Sequence, residues 1–126
     1  MRNTAANNTK SVVEVLAFGH CYSEGERGAQ GGAPSNDKVW GIARIDGKLV
    51  TFNARRLGKL SFKTAFGHEL PKLEAKFREK QDVTRKDAYV AVKSPAMINT
   101  LWPTLNADLV HDFYSKMSRG MLNTRH

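Results

Sequence analysis

The sequence predicts an α+β fold, an antiparallel β-sheet packed by one helix with a further helix at the C-terminus. Three observations carry that expectation. Two strand-like runs, Lys38 to Ile45 and Lys48 to Ala54, are joined by Asp46-Gly47, a dipeptide that accepts the positive φ angles of a type I′ hairpin turn. A third run, Lys59-Leu60-Ser61-Phe62-Lys63, alternates polar and apolar side chains, which puts Leu60 and Phe62 on one face and both lysines on the other. Leu70, Leu73 and Phe77 then recur at i, i+3 and i+7, an apolar helical stripe able to cover a sheet face.

The remaining elements follow in chain order. Residues 1–10 read as a polar tail without the apolar stretch of a signal peptide. Ser11 to Phe18 is β-branched and apolar, and predicts the first strand. Gly19 to Asp37 holds five glycines and Pro34, and predicts a long irregular loop. After the Asp-Gly hairpin, Arg55-Arg56-Leu57-Gly58 reads as a second turn, so that the three runs form a meander. Glu69-Leu70-Pro71 opens the helix, since proline is tolerated in a first turn. The outer face of that helix carries Lys72, Lys76, Glu79 and Lys80. Ala88 to Lys93 predicts another strand, which Ser94-Pro95 breaks. Trp102-Pro103 marks a boundary, and a last helix is expected from about Leu105 to Arg119, with Gly120 placed to end it.

At 126 residues the chain suffices for one domain and is short for two. The expected organisation is a tail (1–10) and one domain (11–126) with a helical extension over 95–126. No apolar run approaches the roughly 18 residues that cross a bilayer, so no membrane partner is expected. A single cysteine, Cys21, excludes an internal disulfide and fits a reducing, cytoplasmic setting.

The net charge is +8, and its placement is informative. Lys38 to Lys93 contains 14 basic and 6 acidic residues, whereas the rest of the chain balances 6 against 6. A localised excess is what a surface meeting a polyanion requires. Its densest part is Arg44, Lys48, Arg55, Arg56, Lys59 and Lys63, opposed within that stretch only by Asp46. These six are the candidate nucleic-acid-binding residues, because phosphate neutralisation needs several cations on one surface and arginine can grip phosphate through two parallel hydrogen bonds.

The order of strand, Asp-Gly turn, strand, arginine-rich turn, lysine-rich strand, helix and strand resembles the WGR domain. The residues that carry this are Asp37-Lys38-Val39-Trp40-Gly41, Leu49-Val50-Thr51-Phe52, Arg55-Arg56-Leu57-Gly58-Lys59 and Phe62-Lys63, within a core of about 37–93. Where the family has Trp-Gly-Arg, this chain reads Asn53-Ala54-Arg55, keeping only the arginine. The resemblance implies nucleic-acid contact through the arginine turn and the neighbouring basic strand. A compact basic chain of this kind also resembles a small phage-encoded protein.

Other chemistries find less support. The glycine-rich stretch lacks the Gly-Lys-Ser/Thr ending of a P-loop. His20 and Cys21 are adjacent and would diverge on a strand, so neither a metal site nor a cofactor is expected. Cys21 with His68 or His111 could pair as nucleophile and base, but no motif surrounds them, and no enzyme activity is expected.

The leading expectation is therefore a non-enzymatic accessory protein that binds the phosphate backbone of nucleic acid. Sparse aromatics near the cluster make duplex DNA a simpler partner than RNA. The rival expectation is a small structural or assembly protein of a virion or complex. Residues 105–121, where Val110, Tyr114 and Met121 widen the apolar arc, would then meet a protein partner or a second copy. An inhibitor that coats an acidic protein surface is the third.

Overall fold

A computed structural model describes residues 11–23, 36–85 and 87–118. The tail, most of the glycine-rich stretch and the expected helix end at Gly120 lie outside the described residues. Strands β1 (Val13–Ser23), β2 (Asn36–Ile45), β3 (Lys48–Arg55) and β4 (Ser61–Ala65) precede helix α1 (Leu70–Lys80). Strand β5 (Val90–Ala91) and helices α2 (Pro95–Leu101) and α3 (Leu105–Ser118) complete the α+β arrangement. The sheet runs β4-β3-β2-β1-β5 with every neighbouring pair antiparallel.

The hairpin forms where Asp46-Gly47 predicts it, with φ of 49° and 85° at the two residues. Asp46 also ties the turn down. Its carboxylate accepts hydrogen bonds from the Val12 amide at 2.7 Å and from the Tyr114 hydroxyl of α3. The meander register then follows: Trp40 lies opposite Asn53, and Asn53 opposite Ser61.

Alternation along the strands gives the sheet two apolar faces. Val39, Ala43, Ile45, Val50, Phe52 and Phe62 face α2 and α3, where Trp102, Leu105, Leu109 and Phe113 complete the cluster. Trp40, Ile42 and Leu49 point the other way, toward Phe77 of α1 and Tyr89. Helices thus cover both faces, α1 on one and α2 with the expected C-terminal helix α3 on the other. Full burial of a Leu or Phe side chain stabilises by about 1.5–3 kcal/mol. Leu109 and Phe113 are 0% and 1% exposed, so α3 is part of the core.

Three expectations need correction. The loop predicted from Gly19 does not begin there, because β1 continues to Ser23 and β2 starts at Asn36. Gly19 is a packing residue: a Cβ at this position would stand 2.6 Å from the Phe77 ring. The strand predicted over Ala88 to Lys93 pairs only at Val90–Ala91, since the Tyr89 amide donates to the Lys80 carbonyl at the end of α1 instead. Ser94-Pro95 ends that strand, but it also starts α2. The Ser94 hydroxyl accepts from the Met97 amide at 3.2 Å, with proline in the first turn.

Candidate nucleic-acid interface

Because Phe62 and Ala54 pack toward α3, their neighbours Ser61, Lys63 and Arg55 project from the opposite face of the sheet, on the side of α1. The register sets Arg55 beside Lys38, and Lys63 beside Thr51. Exposed Asn53 and Ser61 lie between these pairs and add hydrogen-bonding groups.

Helix α1 crosses this face obliquely. It starts just after β4 and ends at Tyr89, where Phe77 stacks on Trp40 with ring centroids 5.7 Å apart. One flank of the helix, with Glu74, Arg78 and Gln81, borders β1. The other flank carries Lys72, Lys76 and Lys80, spaced four residues apart. It is the flank turned away from β1. The Lys80 ammonium lies 5.3 Å from the Trp40 ring centroid and 5.8 Å from that of Tyr89, and Lys38 lies 5.9 Å from Tyr89. Burial, then the nearby charges of Lys76, Arg85 and Lys38, lower the Lys80 pKa from its ordinary value, against a smaller opposite effect of Glu79. Positive charge is crowded here.

The six predicted cations do not form one surface. Arg55 and Lys63 share the α1 side. Arg44 is on that side too, but at the far end of β2, where it meets Glu14 at 3.4 Å. Arg56 is held in the turn: its Nε donates to both carboxylate oxygens of Asp37 at 3.1 Å, and its amide donates to the Asp37 carbonyl at 2.9 Å. Lys48 opens β3 on the α3 side, beside Phe66 and Met117. Lys59 is exposed in the connection to β4. Among the described residues, Lys48, Arg55, Lys59 and Lys63 form no ion pair.

Lys38, Lys76 and Lys80 are not among the six candidates, and they lie on the same side of the sheet as Arg55 and Lys63. Their lysines are plain in the sequence. What the sequence does not give is how α1 docks, which decides the side of the sheet on which its lysines stand. The acid beside them is Asp87, 3.6 Å from Lys38 and hydrogen-bonded by Asn36 at 2.8 Å.

Asp37 also accepts from His20 Nε2 at 2.8 Å, forming a His20–Asp37–Arg56 cluster. Burial raises the Asp37 pKa, but the hydrogen bonds from His20 and Arg56 outweigh it and leave the carboxyl below its ordinary value. Cys21 points to the opposite face of β1 and is 2% exposed. Burial pushes its thiol above the ordinary value, which disfavours the nucleophilic thiolate. Among the described residues no three His, Cys, Asp or Glu side chains group to hold a metal ion, and no helix is long and apolar enough to cross a membrane.

Fold and surface together define an antiparallel sheet covered by helices on both faces, with a lysine- and arginine-lined area on one of them. No protein-family model, curated protein or solved structure matches the chain.

Proposed function

We propose that this protein is a non-enzymatic nucleic-acid-binding accessory protein, contacting the phosphate backbone through the α1 side of the sheet. The observation that supports it most is that Arg55 and Lys63, from two strands, stand on the same side of the sheet as Lys76 and Lys80 of α1. Lys38 adjoins them. Phosphates spaced along a backbone are met by cations spread over a surface, and Asn53, Thr51 and Ser61 add donors between them. A bound phosphate would also relieve the repulsion around Lys80. The resemblance to the WGR domain points to the same arginine turn and strand. Trp40, Phe77 and Tyr89, the large rings on this side of the sheet, are buried at 6%, 9% and 9% exposure. They leave little ring surface for unstacked bases, and this favours duplex DNA over single-stranded nucleic acid.

The test is the salt dependence of duplex binding. Five cations engaging phosphates give a slope of about −4.5 in log K against log salt, with little dependence on base sequence. A flat dependence on salt would overturn the proposal.

A second reading, assembly with another protein, draws on a different surface. Phe66 and Met117 are 71% and 40% exposed around a depression that Lys48, Leu49 and Phe113 also line. An apolar patch of that kind suits a protein neighbour better than a phosphate.

A further inference from the structure

Strand β1 is paired with β2 along its whole length, but its other edge is covered only from Phe18 to His20, by β5 and the Val92 amide that follows it. The hydrogen-bonding directions of the rest can be derived. Val12 and Asp46 form a hydrogen-bonded pair at the start of the ladder, with the Asp46 amide 2.8 Å from the Val12 carbonyl. Val13, Glu14 and Val15 lie opposite Ile45, Arg44 and Ala43 in continuous register. In an antiparallel pair the backbone groups of successive residues point alternately toward and away from the partner. The N–H and C=O groups of Val13 and Val15 therefore point away from β2, and no strand lies on that side among the described residues. Beyond the bulge between Val15 and Ala17 the alternation resumes, and the Phe18 carbonyl accepts from the Val92 amide at 2.8 Å.

This edge is the floor of a groove. A depression of about 580 Å³ lies between β1 and α1, and another of about 500 Å³ between β1 and α2. Val15, Lys93 and Ile98 line both. The apolar contacts on offer are Phe77 on one side of the strand and Ile98 and Trp102 on the other, with Arg78 and Lys93 at the rim. Among the described residues neither rim cation forms an ion pair.

We infer that the open edge of β1 takes up an extended peptide segment of a partner protein by strand addition. Backbone groups of Val13 and Val15 would supply the ladder, and the groove would receive alternate apolar side chains on its two sides. A helix, whose backbone groups are internally satisfied, could not use this edge. Arg78 and Lys93 outnumber Glu74 along the groove, and this charge balance favours a segment that carries acidic residues. The edge belongs to the strand at the other side of the sheet from Lys63, so the inference does not rest on the nucleic-acid reading.

The test uses the full chain and a synthetic capped heptapeptide of alternating valine and threonine with two glutamates, alongside the same peptide N-methylated at alternate residues. Binding is read by fluorescence anisotropy, and amide hydrogen exchange is read by NMR. The unmethylated peptide is expected to bind, to slow exchange at Val13 and Val15, and to weaken roughly tenfold or more on methylation, which removes its ladder donors. Replacing its glutamates with lysines is expected to weaken it further. Absence of binding, equal binding of the methylated peptide, or protection confined to other residues would overturn the inference. So would strong protection of Val13 and Val15 in the free chain that is lost on deleting residues 1–10, since the edge would then be closed by the chain's own tail. Concentration-dependent protection without peptide would equally overturn it, by making a second copy the occupant.

Discussion

The Lys80 ammonium rests 5.3 Å from the centre of the Trp40 indole, on the flank of α1 turned away from β1. Trp40 is in turn stacked on Phe77, so the position of this cation is set by the packing of the helix on the sheet. A charge held in this way is pre-organised, and its lysine neighbours keep it under repulsion.

A consequence is that Lys80 should report binding directly. Its pKa is lowered in the free protein by burial and by Lys76, Arg85 and Lys38. A polyanion on this face should raise it again. NMR titration of the Lys80 side chain with and without duplex DNA is expected to show an upward shift on binding. An unchanged titration in the saturated complex would place the DNA elsewhere.

The close packing within the sheet can be tested through glycine. A Cβ on Gly41 would stand 2.3 Å from the Phe52 ring and 2.6 Å from the Ala17 carbonyl oxygen. The backbone atom cannot rotate away, so Gly41→Ala is expected to destabilise the fold by about 1–3 kcal/mol. Urea unfolding followed by circular dichroism measures this. Gly47, whose Cβ would meet nothing within 4 Å but whose φ is +85°, should lose about 1–2 kcal/mol on Gly47→Ala through the backbone alone.

Acid should weaken the ties at both ends of the β2–β3 hairpin. The Asp46 pKa is lowered, chiefly by the hydrogen bond from Tyr114 and then by that from the Val12 amide. Asp37 is lowered as well, by His20 and Arg56 acting against burial. Carboxylates depressed on folding contribute stability that is complete above the unfolded pKa of about 4 and is lost as pH falls through the folded value. Thermal melts from neutral pH downward should therefore show a falling Tm. Asp46→Asn should lower Tm at neutral pH, and its difference from the wild type should shrink in acid. Tyr114→Phe should reproduce part of that loss.

Much of this architecture was legible in short-range signals. Asp46-Gly47 specified its turn, alternation in Leu60-Ser61-Phe62-Lys63 assigned the faces of β4, and the Leu70, Leu73 and Phe77 stripe located α1 and its buried side. Signals with two meanings failed. Gly19 was read as a loop because glycine is common in loops, whereas here it admits the Phe77 ring. Ser94-Pro95 is both a strand breaker and a helix cap, and only the second role shows α2. For the candidate face, Arg55 and Lys63 could be placed by strand periodicity. Lys76 and Lys80 depend on how α1 docks, which no local pattern encodes. Arg44 and Arg56 were assigned by proximity in sequence, and their partners Glu14 and Asp37 arrive from other strands.

The most direct test compares two sets of substitutions in anisotropy titrations of a labelled DNA duplex at low salt. One variant, Arg55→Ala/Lys63→Ala/Lys76→Ala, removes charge from the α1 side of the sheet. The other, Arg44→Ala/Lys48→Ala, removes it elsewhere, and circular dichroism checks that both are folded. The expected result is a loss of about tenfold or more for the first, as phosphate contacts are removed, and about twofold or less for the second. Equal affinity of the first variant and the wild type, or an equal loss in both variants, would contradict the assignment of this face to nucleic acid.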